Sequence, residues 1–251
     1  MSSLLRFRSA QAEPAAVKKL WIVVPAFNEE GNVGKVVQEV QDLRMPGCKV
    51  EMIVIDDGSA DRTREVALGW GAKVISLPYN LGIGISVQTG FRYAIERSAD
   101  FVAQVDGDCQ HVPSELQALL APILEGKADV VIGSRFKLDS TEGIRSTTRL
   151  RWLIGRALSF NVWLLTGVRV TDTTSGFRLY NRAAAAYVAE NYPDDYPEVQ
   201  ILVPLVRHGF RVMEVPVRMR PRMAGKSSIN WYRSLYYVFK VVLSSLFDRV
   251  R

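Results

Sequence analysis

Cysteine and histidine are almost missing from this chain: its 251 residues include two of each. Cys48 and Cys109 have neither the spacing of a disulfide framework nor that of a zinc site. Both read as free thiols, as expected in a reducing compartment. Long apolar runs are missing too. The best candidates, residues 151–165 and 234–247, would reach roughly 22 and 21 Å as helices, against the roughly 30 Å of a hydrocarbon core. Arg156 and Lys240 also interrupt them. Between Arg6 and Arg8 on one side and Lys18 and Lys19 on the other there is no apolar core, so the start is not a signal peptide; residues 1–19 read as a basic arm. Neither an internal repeat nor a low-complexity tract is visible, which argues against solenoid and linker-like architectures.

What the chain does have is a globular composition, 48% hydrophobic with a net charge of +6 and an isoelectric point near 9.4. A basic surface suits nucleic acid, an anionic membrane or a phosphorylated substrate, and charge alone does not choose. Basic and aromatic residues form no nucleic-acid-binding motif, so nucleic acid is the weakest of the three.

Apolar runs at 20–26, 50–55, 73–77, 101–105 and 129–132 read as buried strands. They alternate with helical patterns at 33–43, 61–70, 85–97 and 113–124. Leu116, Leu119, Leu120, Ile123 and Leu124 fall on one helical stripe, and Asp61 is placed to cap the second helix. This alternation predicts an α/β fold, a mainly parallel sheet with helices on both faces. Ligands bind such sheets at the carboxyl ends of the strands. After residue 135 the pattern changes. An arginine-rich polar stretch (136–150) precedes a helix at 151–166, a turn at 171–176, helices near 182–190 and 197–208, a short strand at 211–215, a basic loop at 218–228 and a final helix over 231–248. The two helices 151–165 and 231–248 mix apolar with basic residues, as membrane-interface helices do.

Asp106-Gly107-Asp108 closes the fourth strand. Two carboxylates so placed can hold one hard divalent ion, magnesium or manganese, together with substrate phosphates. Gln110 and His111 follow closely enough to assist. Taken alone such a pair is as consistent with a solvated turn, but Asp56-Asp57 closes another strand of the same sheet. Pro25 to Glu30 closes the first and brings Asn and Glu acceptors to that edge, although helix starts also favour these residues.

Taken in order, the segments VVPAFNEE, IDDGSADRT, QVDGDCQH, IGSRF and TDTTSGFRLYNR resemble glycosyltransferase family 2 enzymes of the GT-A, Rossmann-like fold. The resemblance spans roughly residues 20–230 and is strongest to the branch of dolichol-phosphate mannose synthase and bacterial polyprenyl-phosphate sugar synthases. It implies one GT-A domain over 20–230, with a nucleotide-sugar and metal half (20–135) and an acceptor half (136–230), followed by a C-terminal amphipathic helix (231–251). It implies that Pro25, Phe27, Asn28 and Glu29 line the nucleotide pocket, that Asp57 holds the base or ribose, and that Asp106 and Asp108 bind the metal and donor diphosphate with help from Gln110. Arg135 would meet the acceptor phosphate. Arg151 would be a second phosphate arginine on a membrane-facing helix. Four positions on, where that family often has serine, this chain has Gly155. Arg222 and Lys226 would sit on a loop closing over the phosphates.

The implied reaction is transfer of a hexose from a GDP- or UDP-sugar to a polyprenyl or dolichyl phosphate, with Mg2+ or Mn2+ and inversion at the anomeric carbon. The implied place is cytoplasmic, peripheral at the inner face of the membrane, by direct docking or through a separate small membrane protein. A phosphate acceptor is already an anion and needs no strong base; it needs cations, and arginine matches phosphate through its fork of donors. Two rivals stay open. One is a family 2 transferase acting on a sugar hydroxyl, with Asp172 or Glu198 as base. The other is a nucleotide-binding scaffold that turns nothing over.

Overall fold

The computed structural model describes residues 17–136, 149–193 and 197–221, with main chain only over 149–152. Most of the basic arm, Arg222 and Lys226, and the helix expected over 231–251 lie outside the described residues. The chain runs β1 (Lys18–Ala26), α1 (Val33–Asp42), β2 (Cys48–Asp56), α2 (Thr63–Gly69), β3 (Val74–Ser76), α3 (Ile83–Glu96), β4 (Phe101–Gln104), a 3-10 turn at Pro113–Glu115, α4 (Leu116–Leu124), β5 (Val130–Ser134), α5 (Arg149–Thr166), β6 (Arg178–Asn181), α6 (Arg182–Asn191), α7 (Pro197–Gln200), α8 (Leu202–Arg207) and β7 (Val212–Pro216).

The strands form one seven-stranded sheet in the order β3-β2-β1-β4-β6-β5-β7. All pairs are parallel except those made by β6, which runs against both β4 and β5. β1 shows why the sheet is covered on both faces. Leu20, Ile22 and Val24 enter one core with the α1 stripe Val33, Val36, Val37 and Val40, while Trp21 and Val23 enter the other with Val87, Phe91 and Ala94 of α3. A strand buried on both sides has no polar face to show, hence its unbroken apolar run.

Antiparallel β6 decides where the site can be. The carboxyl ends of β1, β2, β4 and β5 share one edge of the sheet. Because β6 runs the other way, it starts at that edge, with Arg178 opposite Gln104 and Ile132. The loop 171–177 that feeds β6 is thereby delivered beside the ends of the acid-bearing strands. The sequence reading has no strand here. Four residues led by a fully buried arginine carry neither an apolar run nor an alternation. The helix expected over 197–208 is also two short pieces.

Candidate active site

The end of β1 and the end of β2 are clasped to each other. Asn28 takes the left-handed backbone region (φ 55°), which asparagine tolerates better than most residues. Its N–H donates to Ser59 Oγ (3.0 Å), and its side-chain oxygen accepts from Ala60 N–H (2.9 Å). Pro25 is buried, while Phe27 and Asn28 are exposed at the edge. The Glu29 carboxylate is nearly buried and accepts from the Asn32 side chain (2.6 Å), bracing the start of α1. Asp61 accepts the N–H of Thr63, the first residue of α2, but the capping position itself falls one residue later, on Arg62, which makes no side-chain cap. The neighbouring Asp57 is buried, and its two carboxylate oxygens accept the backbone N–H groups of Leu81 (2.8 Å) and Gly82 (3.0 Å). Asp57 therefore ties the β3–α3 loop to the sheet edge; each oxygen keeps further acceptor capacity for a ligand.

Beyond β4, Gly107 N–H donates to Pro25 O (3.1 Å). A Cβ at Gly107 would sit 3.1 Å from both Ala26 Cβ and Pro25 O, a tight fit that would make β1 give by a few tenths of an ångström. Asp106 is half-buried. Gln104 Nε2 donates to its Oδ1 (2.9 Å), and its own N–H donates to His111 Nδ1 (3.0 Å). The neutral His111 ring then carries its proton on Nε2, and it stacks on Phe177 with centroids 4.8 Å apart. Asp108 Oδ1 accepts Gln110 N–H (3.0 Å). Between them Cys109 is also left-handed (φ 63°) and buried, its thiol against Asn32 O (3.2 Å). That is a packing role, and both cysteines are free.

Arg135 follows β5, and its fork is already engaged. Nε and Nη2 donate to the two oxygens of Asp172, each at 2.9 Å, and Asp172 is 1% exposed. Burial works against the Arg135 charge, but the Asp172 carboxylate outweighs it and holds the guanidinium pKa above its ordinary value. Asp106 adds to this, which places the two groups within electrostatic reach. Asp172 is fixed in turn: Glu214 of β7, nearly buried, accepts the N–H groups of Thr171 and Asp172 (2.7 Å for the latter) and the Thr171 hydroxyl. At the far end of the same loop, a Cβ on Gly176 would lie 3.1 Å from Asp106 Oδ2 and 2.7 Å from Gln104 Nε2. The loop thus touches Asp106 at one end and Arg135 at the other. Asp57, Asp106, Asp108 and Arg135 all lie on one sheet edge.

The segment before the basic loop crosses this edge as well. Met219 bridges to His111, Arg220 N–H donates to Gln110 O (2.8 Å), and Arg220 is ion-paired with Glu39 (2.8 Å). The Gln110 side chain reaches back to Arg220 O at 3.5 Å. Arg151 lies in the first turn of α5, the part of that helix whose side chains are outside the described residues. Farther along α5, Leu153, Phe160, Trp163 and Leu164 are exposed in one repeating stripe. Among the described residues no helix is long and apolar enough to cross a membrane.

Asp172, Glu214, Gln104 and Arg178 carry as much of the geometry as the acids of the motifs. Asp172 and Arg178 lie inside TDTTSGFRLYNR and Gln104 opens QVDGDCQH, but nothing in the sequence assigns a structural role to Gln104, Arg178 or Glu214; Glu214 is set by a pairing 42 residues away and Arg178 by the unforeseen strand.

Glycosyl transferase family 2 matches this chain over residues 21–188. The chain belongs to that family and is a glycosyltransferase. It is 28% identical over 262 residues to the polyprenol monophosphomannose synthase of Mycolicibacterium smegmatis, covering 98% of this chain and 96% of that one. To the UDP-N-acetylglucosamine–dolichyl-phosphate N-acetylglucosaminyltransferase of Methanococcus voltae it is 27% identical over 222 residues, covering 81% and 86%. Among solved structures, glucosyl-3-phosphoglycerate synthase of Mycobacterium tuberculosis superposes with a TM-score of 0.70 at 22% identity, covering 91% of this chain and 80% of that chain. The fold is that of the GT-A transferases, a mostly parallel sheet with helices.

Proposed function

We propose that this protein is an inverting hexosyltransferase that moves a hexose from a GDP- or UDP-sugar to a polyprenyl or dolichyl phosphate at a membrane surface. The observation that carries this reading is the meeting, along one sheet edge, of Asp106 and Asp108 with an arginine held in place by Asp172. Two relatives of nearly matching length carry names that specify polyprenol or dolichyl phosphate acceptors.

The donor side fits a hard divalent cation. Among the described residues no group of three or more His, Cys, Asp and Glu could cage a metal. Two carboxylates one residue apart suit an ion that takes its remaining ligands from a diphosphate and water. Asp106 and Asp108 would hold it, with Gln110 beside them; structures of the M. tuberculosis synthase hold Mn2+ or Mg2+ with UDP. When bound, the ion supplies charge neutralisation to the departing diphosphate. The protein does the rest by placement. Asp57 and Asn28 fix the loops around the nucleoside. Arg135 keeps Nη1 for the incoming phosphate, since Asp172 occupies Nε and Nη2. No group has to remove a proton from an acceptor already ionised at neutral pH, so positioning and charge carry the displacement. The exposed apolar stripe of α5 supports docking at the inner face of the membrane, where such an acceptor resides. Arg151, Arg222 and Lys226 complete the phosphate side in this reading.

The test is a panel of nucleotide sugars with Mn2+ or Mg2+, offered with a short prenyl phosphate, an oligosaccharide and 3-phosphoglycerate, and read by product mass. A prenyl-phosphate hexose is the expected product. Transfer only to the oligosaccharide or only to phosphoglycerate would overturn the acceptor assignment.

A further inference from the structure

The turn that carries Asp106 and Asp108 has to be held in shape. Cys109, at its centre, sits in the left-handed region (φ 63°), where a residue other than glycine stays only if its surroundings insist. One limb of the turn leaves β4, and Gly107 N–H fastens it to Pro25 O. The other limb, Gln110 and His111, returns against a strap formed by residues 217–220. His111 and Met219 make an antiparallel bridge, and Arg220 N–H donates to Gln110 O (2.8 Å). This limb touches both acidic residues. Gln110 N–H donates to Asp108 Oδ1 (3.0 Å), and His111 Nδ1 accepts from Asp106 N–H (3.0 Å). A shift of the strap is therefore a shift of the two carboxylates.

The strap leaves β7 with Val217 N–H bonded to Ser134 O (3.1 Å). Two ion pairs then hold it. Arg218 meets Glu115 at 2.8 Å, but its side chain is 81% exposed, and so open a pair contributes little. Arg220 reaches the other way, to α1. Its Nη1 donates to both oxygens of Glu39 (2.8 and 2.9 Å), and the two side chains are only 34% and 26% exposed. Water and salt screen this pair less. Its anchor is also firm, because Val36, Val37 and Val40 beside Glu39 are buried in the core. The head of α1 meets the turn directly as well, through the Cys109 thiol on Asn32 O (3.2 Å). α1 thus grips the turn at two points, once at Cys109 and once through Arg220.

We propose that Glu39 and Arg220 are positioning residues for the cation site: their ion pair clamps the strap to α1, and the strap sets the Gln110–His111 limb that aims Asp106 and Asp108 at one divalent ion. This rests on the reading of Asp106 and Asp108 as the metal-binding pair. Neither Glu39 nor Arg220 need touch the ion or a substrate. Groups one step behind the ligands fix their orientation, and their loss weakens metal binding. The effect is largest where protein ligands are few. Among the described residues no third such ligand completes a cage, so the angle between these two carboxylates decides how well an ion is held. Magnesium in particular tolerates little departure from its preferred geometry.

The experiment titrates Mn2+ into the full chain with UDP, and separately GDP, present, and reads free Mn2+ by electron paramagnetic resonance. The variants are Glu39→Ala, Arg220→Ala, the two together, and Arg218→Ala. Each of the first two should weaken Mn2+ binding by about tenfold. The double variant should lose no more than the worse single one, because both break the same contact. Arg218→Ala should stay within about twofold of wild type. Nucleotide binding without metal should be unchanged throughout. The sign of the effect separates a clamp from plain electrostatics. If only charge mattered, removing Glu39 would weaken the site and removing Arg220 would tighten it. Opposite signs would overturn the proposal, and so would additive losses, unchanged Mn2+ affinity, or an equal loss of metal-free nucleotide binding. A wild type that takes up no Mn2+ beside the nucleotide would sink the metal reading of Asp106 and Asp108 and the clamp with it. A wild type that binds Mn2+ no better than its clamp variants would sink the clamp alone.

Discussion

The two sides of the sheet edge are built on opposite electrostatic plans. On the donor side, Asp56, Asp57 and Asp106 are held by hydrogen bonds from uncharged groups: the N–H groups of Ser59, Leu81 and Gly82, and the Gln104 side chain. No lysine or arginine bonds to these three among the described residues. On the acceptor side the buried acids Asp172 and Glu214 are both engaged by the protein itself. Asp172 binds the Arg135 fork, and Glu214 binds the main chain that carries Asp172. The donor side therefore keeps negative charge for a cation to come, while the acceptor side arrives with its cation installed. In the proposed reaction the charges of the two substrates would be balanced separately: a mobile ion would leave with the diphosphate, whereas the guanidinium would stay to receive the next acceptor.

Breaking the donor side should have the largest effect. Asp108→Ala should remove metal-dependent transfer by at least about a thousandfold, several kcal/mol of lost charge stabilisation. Its thermal unfolding should stay close to wild type, and a melt recorded beside the assay checks this. Steady-state transfer with a Mn2+ titration reads this, and turnover like the wild type would remove the central site assignment. On the acceptor side, Arg135→Lys keeps the charge and loses the planar fork. It should lower kcat/KM for the prenyl phosphate by about tenfold to hundredfold while UDP binding is unchanged. A matching drop in UDP affinity would show that the two sides are not separate. Glu214→Gln is milder still. Its amide has one acceptor oxygen for donors now shared between two, so unfolding free energy should fall by about 1–3 kcal/mol, with a smaller loss of transfer than in Arg135→Lys. Urea melts beside transfer rates would show whether the lock on residues 171–172 matters mainly to stability.

The contrast also explains what the sequence discloses. The donor side is written locally. VVPAFNEE, IDDGS and QVDGDCQH each run from a buried strand straight into acids. Strand, turn and ligand thus lie within ten residues, and the parallel order follows from the β/α alternation. The acceptor side is written across distance. Arg135 finds Asp172, Thr171 finds Glu214, and Gln104 finds Arg178, and periodicity carries no trace of such partners. β6 escaped for a related reason: a strand of Arg-Leu-Tyr-Asn, opened by a buried arginine, breaks the rule that buried strands read apolar. The fork of Arg135 shows the same thing: its Nε and Nη2 donate to Asp172, a partner 37 residues away that no periodicity announces.

The outer edge of the sheet offers the smallest and cleanest separation of stability from chemistry. Asp129, ahead of β5, accepts from Arg211 at N–H and Nε (both 2.9 Å) and Nη2 (3.0 Å), and from Asn181 Nδ2 (2.8 Å), tying β5, β6 and β7 together at the end away from the site. The Arg211 hydrogen bonds, more than burial opposes them, hold the Asp129 pKa below the ordinary carboxylate value. The unfolded chain thus takes up a proton at higher pH than the folded one. The stability contributed by Asp129 is complete above the unfolded carboxylate pKa and is lost as pH falls through the depressed folded value. Asp129→Asn should melt a few degrees lower at neutral pH, with the gap to wild type closing steadily on acidification. Transfer at neutral pH should stay unchanged, because nothing at this end touches the acids or Arg135. Thermal melts across acid pH would detect it, and a gap that stays constant with pH would mean that the Asp129 charge contributes nothing to holding this edge.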